Sequence, residues 1–408
     1  MRCARPLNCL LLSALVASPL GAVARQMFVT SVTGTGNLST WADAGGFTGL
    51  DAGDAICQAR AAAASLPNAA GYRAWLSDSV DDAYCRLHNL GGKRATNCGQ
   101  PTLPAAAGPW WRTDGKPFGA GLPDLVAPLE QVLNPPSVNE FGVDLQVGAA
   151  WTATGLQGGA GPATCVDWTS AASPDPVYDG SAYLTSGSWT FNGSASCSST
   201  VRRLYCFETG LGDPLPAFPT WGRLAFATSA EGAGDLNSWP AAAGATGLAA
   251  GDAICRNLAS AAGLRDSTAF KAWLSTDGTN AIGRFQHDGP WMRLDGIVIA
   301  QSRLDLTDGD LESPLNRTET GLYLGNVGIW TGTLANGTVA SASCTNWSST
   351  SGTGEIGLAN SVLIGWTEAG GMTCSFAYSY LYCLQDLPLL FRDGFESAGT
   401  QAWTSSVP

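Results

Sequence analysis

Histidine is nearly absent from this chain, basic charge is scarce, and long apolar runs are missing beyond the first two dozen residues. There are 2 His, and 21 Lys and Arg face 33 Asp and Glu, a net charge of −12 over 408 residues. An acidic surface disfavours DNA, RNA, heparin and anionic lipid as partners. With only His88 and His287 there is no His-x-x-x-His metal motif, and no Ser/His/Asp order stands out. Past the N-terminus no segment reaches the ~20 apolar residues of a membrane-spanning helix. Charged side chains make up only 13%, yet 45% is hydrophobic and 15 residues are Trp, so there is ample material for a core.

What is present begins with a secretory signal pattern. Arg2 and Arg5 precede an apolar stretch from Leu10 to Leu20, and Ala22-Val23-Ala24 offers a small-x-small cleavage site. Residues 1–24 are therefore expected to be removed, which places the protein outside the cell, at its surface or in the periplasm. Removal takes Cys3 and Cys9 and leaves ten of the 12 Cys, an even number suited to disulfides in an oxidising compartment. It also takes two of the 21 basic residues, so 19 face 33 acids and the net charge becomes −14.

The chain then repeats itself. Gly49-Leu50-Asp51-Ala52-Gly53-Asp54-Ala55-Ile56-Cys57 returns as Gly247-Leu248-Ala249-Ala250-Gly251-Asp252-Ala253-Ile254-Cys255, an offset of 198. The offset is 181 at Trp110/Trp291, 179 at Trp151/Trp330 and 177 at Trp189/Trp366. A repeat this long is a whole unit written twice. The expected boundaries are 25–209 for copy one, 210–222 for a Pro-rich linker, 223–386 for copy two and 387–408 for a tail. Copy one carries about 17 extra residues between Ser77 and Gly108, holding Cys85 and Cys98 without counterparts, so these two are expected to pair. The other cysteines number four per copy and allow three connectivities, among which spacing does not choose. Ala-rich segments from Asp51 and Ala250 read as helices; Gln26–Ser31, Tyr72–Leu76, Arg203–Phe207 and their counterparts read as strands. The expected class is α+β, loop-rich and disulfide-braced.

Several motifs recur in the same order in both copies. They are a helix ending in Ile-Cys, Ala-Trp-Leu-Ser, Gly-Pro-Trp followed by Asp-Gly, Trp-Thr-x-Thr, Cys-x-x-Trp and a final Leu-Tyr-Cys. This set resembles a bacterial surface-protein repeat family of unknown function first noted in leptospires. More distantly it resembles endostatin, the C-terminal domain of collagen XVIII, which has a C-type-lectin-like fold. The resemblance implies two tandem C-type-lectin-like domains. It also implies nested disulfides: Cys57–Cys206 around Cys165–Cys197, and Cys255–Cys383 around Cys344–Cys374. The departures are equally informative. The Glu-Pro-Asn or Gln-Pro-Asp loop and Trp-Asn-Asp strand of calcium-dependent sugar-binding lectins are missing, as are endostatin's clustered histidines and arginines.

Twelve Trp form matched pairs between the copies and read as core. Trp111, opposite Met292, is a candidate ligand-stacking residue. Asp305, Asp308 and Asp310, with Glu312, form a candidate ligand-binding acidic loop that lacks EF-hand spacing. Glu140 and Glu319 read as acceptors for backbone N–H groups. No catalytic residue, cofactor or metal site is assigned. The expected function is non-enzymatic binding of an extracellular matrix protein, glycan or surface component through loops at 77–151 and 168–189. The two alternatives are a structural envelope component and a hydrolase with an acidic pair facing a pocket.

Overall fold

The computed structural model of the chain describes residues 24–128, 131–146, 148–172, 174 and 176–388. The expected signal segment, up to residue 23, and the tail from 389 lie outside the described residues.

Local sequence explains the main elements. After Thr48, an Ala-rich run forms helix α1, Gly49–Ala63, and its counterpart after Thr246 forms α2, Gly247–Ala261. Ala52, Ile56, Cys57 and Ala61 line the buried stripe of α1, as helical spacing requires. Gly53 belongs to that stripe for a steric reason: a Cβ there would sit 2.8 Å from the Leu76 side chain. Gly251 meets Leu274 in the same way at 2.6 Å.

Copy one supplies β1 (Arg25–Val29), β2 (Tyr72–Ala74), β3 (Trp110–Arg112), β4 (Pro117–Gly119), β5 (Ala149–Trp151), β6 (Val177–Ser181), β7 (Gly193–Ala195) and β8 (Arg202–Glu208). Copy two supplies β9 (Arg223–Ala227), β10 (Phe270–Ala272), β11 (Trp291–Met292), β12 (Val298–Ala300), β13 (Gly328–Trp330), β14 (Thr353–Leu358), β15 (Gly370–Thr373) and β16 (Tyr380–Gln385). Among the described residues these form two eight-stranded mixed sheets of the same order, β4-β3-β1-β8-β5-β6-β7 and β12-β11-β9-β16-β13-β14-β15. β2 and β10 pair with β8 and β16. The first and last strands of each copy are antiparallel neighbours, with Phe28 opposite Cys206 and Phe226 opposite Cys383.

Each sheet is buried on both faces. Along β8, Leu204 and Cys206 join α1, Trp151 and Trp168 in one core. Tyr205 and Phe207 join Trp75, Trp110 and Trp189 in the other. This is the period-two alternation of a strand with core on either side. All twelve paired Trp are buried. Five of the six pairs also repeat their indole hydrogen bonds, such as Trp168 to the Ser77 carbonyl and Trp347 to that of Ser275, at 2.9 and 2.8 Å.

Five disulfides tie the described residues together: Cys57–Cys206, Cys165–Cys197, Cys255–Cys383, Cys344–Cys374 and, within the insert, Cys85–Cys98. The outer bond of each nested pair joins helix to closing strand. No helix among the described residues is long and apolar enough to cross a membrane.

The linker does not stand free. Gly108 donates to the Gly210 carbonyl and accepts from Gly212, at 3.0 and 2.9 Å. The copies then meet about a pseudo-twofold relation. Leu184 forms an isolated antiparallel bridge with Ser361, its own counterpart at offset 177. Ser313 donates to Asn134 Oδ1 at 2.5 Å, and these two are counterparts at offset 179. Contact between equivalent residues is the mark of an isologous interface, here made within one chain.

Candidate functional site

The acidic loop, one of the segments where the copies differ, lies at this junction. Lys116 lies 3.3 Å from Glu312, and Gln146 donates to Asp310 at 2.8 Å. Together with Arg112, Asp144 and Tyr183 they line a cleft of about 120 Å3. Burial raises the Asp310 carboxyl above its ordinary value, and the Asp308 and Asp144 charges raise it further, against Gln146 and Lys116. Asp305 is also raised, first by burial, then by Glu312, Asp308 and Asp310, while the Gln301 amide opposes the shift. The acidic loop therefore packs against copy one instead of projecting from copy two. Among the described residues no group of three or more His, Cys, Asp or Glu is placed to share a metal ion.

Trp111 is half-buried, edge-on to Phe218 of the linker at 6.2 Å. Its counterpart Met292 is fully buried and accepts the Gly222 N–H at 3.4 Å. Part of the 168–189 loop is also consumed. Thr185 N–H donates to the Asn360 carbonyl at 3.0 Å, Asn360 Nδ2 donates to Ser188 at 3.2 Å, and Ser186 donates to the Leu324 carbonyl at 3.1 Å. Neither Asn360 nor Asn134 carries a motif, so sequence reasoning passed over both.

Glu140 and Glu319 take the structural place expected of them. Each accepts the N–H of Ser31 or Ser229, at 2.8 and 2.9 Å, and the hydroxyl of the same serine. His88 is half-buried in the insert, and burial lowers its ring below the ordinary value. His287 Nδ1 lies 2.8 Å from Asp386, but no hydroxyl or thiol among the described residues is bonded to it.

Each copy also contains a left-handed turn, Cys165–Trp168 and Cys344–Trp347, with four successive residues at φ between 50° and 68°. Left-handed conformation costs a non-Gly residue roughly 1–2 kcal/mol. The turn is held at both ends, by the Cys165–Cys197 bond and by Trp168 in the core. Asp167 within it accepts from Ser79 N–H and Oγ at 2.9 and 2.6 Å. In copy two, Asn346 accepts from Asp277 N–H at 2.9 Å.

The sharpest contrast between the copies lies on β6 and β14. Tyr178 packs on the exposed Phe191, ring centroids 4.2 Å apart. The equivalent residues in copy two are Glu355 and Glu368, each accepting a backbone N–H, from Gly370 at 2.6 Å and Ala335 at 2.7 Å. Burial raises the Glu355 carboxyl, the Gly370 amide opposes this, and the Glu368 charge adds to the rise. An aromatic pair thus stands where the other copy has a carboxylate pair. Carrying the self-comparison through the last strands would have found it.

No protein-family model matches the chain, and no curated protein matches it either.

Proposed function

We propose that the protein is a secreted or surface-displayed binding protein. In this reading it is built from two tandem C-type-lectin-like domains at 25–209 and 223–386, joined by the linker at 210–222. It acts without catalysis, and its ligand is an extracellular matrix protein, glycan or surface component. The observation that carries the reading is the contrast between Tyr178/Phe191 and Glu355/Glu368. The two scaffolds agree down to their indole hydrogen bonds, yet the same surface position is aromatic in one and acidic in the other. Divergence of a partly exposed position on a fixed, disulfide-braced frame fits recognition better than a purely structural role. The recognition surface is therefore placed on the outer strands and on loops that the junction leaves free.

Glycan and matrix-protein arrays, probed with the full chain with and without EDTA, test this. The expected result is metal-independent binding that falls at least tenfold in Tyr178→Ala/Phe191→Ala. Absence of binding to every array component would favour the structural alternative.

A further inference from the structure

A cavity of about 370 Å3 opens on copy one, between the exit of β1 and the Leu38–Thr40 turn. We propose that it binds one neutral saccharide unit, an inference that rests on reading the chain as a binding protein. Its size is that of a small-ligand pocket. Its charge argues against ionic ligands. The one charged residue in the lining is Asp43, and its carboxylate lies 3.2 Å from Arg60. No Lys, Arg or His lines the cavity, so a phosphate or carboxylate would find no counter-charge there.

Hydroxyls set the remaining chemistry. Thr33, Thr35, Thr40 and Thr200 all line the cavity. Thr40 Oγ1 donates to the Asn37 carbonyl at 2.7 Å, and Thr35 Oγ1 accepts the Asn37 N–H at 3.3 Å. Thr33 and Thr200 are exposed and form no hydrogen bond among the described residues. A threonine hydroxyl both donates and accepts, as every sugar hydroxyl does. Apolar side chains share the lining. Trp41 commits its indole N–H to the Thr35 carbonyl at 3.0 Å and lines the cavity with Val32 and Ala42. Hydroxyls and apolar side chains in one cavity suit the polar edge and the C–H face of a pyranose ring.

Copy two keeps the frame and changes the rim. Trp239 bonds the Ala233 carbonyl at 2.9 Å, and Gly232, like Gly34, lies so close that a Cβ would sit 2.3 Å from the indole. Yet Thr33, Thr35 and Asp43 become Glu231, Ala233 and Ala241. The neutral hydroxyl rim therefore belongs to copy one.

Titration calorimetry of the full chain with methyl glucoside, methyl galactoside, methyl mannoside and N-acetylglucosamine, beside glucuronate and glucosamine, tests the proposal. A neutral sugar is expected to bind at least tenfold more tightly than either charged one. T33V/T200V, which keeps shape and removes two exposed hydroxyls, is expected to lose at least tenfold with an unchanged melting temperature. Equal or tighter binding of a charged sugar, undiminished binding by T33V/T200V, or no binding of any sugar overturns it. If array binding persists in those cases, the broader reading as a binding protein stands and only this site falls.

Discussion

Val166 shows how a single residue can be held against its own preference. It is β-branched, 63% exposed and at φ 55° within the left-handed turn, so it gains little from packing to offset its strain. Val166→Asn is expected to stabilise the protein by about 1 kcal/mol, because Asn tolerates this conformation better. A higher urea midpoint with an unchanged slope would verify it. Asp295 is constrained electrostatically. Burial alone would raise its carboxyl, but Arg293, Arg317 and the Tyr323 hydroxyl hold it down to about 2 from an ordinary 3.8. A depressed carboxylate contributes stability that is present above its unfolded value and lost as pH falls through the folded one. Asp295→Asn should therefore cost about 2 kcal/mol at pH 7 and less at pH 2, measured by denaturant titration at both. In copy one, Asp114 is lowered in the same manner: burial opposes, and Arg112 prevails.

At the scale of elements, the disulfides do unequal work. Cys57–Cys206 spans 149 residues and joins α1 to β8, whereas Cys85–Cys98 spans 13 and closes only the insert. In the loop-entropy account the long closure contributes about 5 kcal/mol and the short one about 3. Cys57→Ser/Cys206→Ser should lower the melting temperature more than Cys85→Ser/Cys98→Ser. Equal losses in calorimetry would contradict the ranking. The helices, the first and closing strands and the insert were legible because they rest on local pattern: Ala-rich helical spacing, alternation and unmatched cysteines. The left-handed turns were not, because Cys-Val-Asp-Trp has no local reason to adopt that conformation. Its anchors, Cys197 and the Trp168 pocket, come from elsewhere in the chain.

At the scale of the whole molecule, the linker alone would leave two units free to engage ligands separately. The junction instead fixes them with buried polar contacts. Asn360 is fully buried and donates to the Thr185 carbonyl at 3.3 Å and to Ser188 at 3.2 Å. Removing one partner leaves buried groups unsatisfied at about 1–3 kcal/mol. Asn360→Ala should lower stability by that amount and separate one calorimetric transition into two. A single transition at the wild-type temperature would show that the junction does not couple the copies.

The sequence by itself determined the duplication, the cysteines available for bonding, the Trp scaffold and the mixed α+β character. These follow from local periodicity and from one copy being readable against the other. Only the tertiary structure decided that Trp111 would meet Phe218 and that Asp310 would meet Gln146 of the other copy. It also placed four threonines around one cavity. Such juxtapositions depend on how two sheets pack and how loops return over them, and no spacing along a chain encodes a contact between residues more than a hundred positions apart.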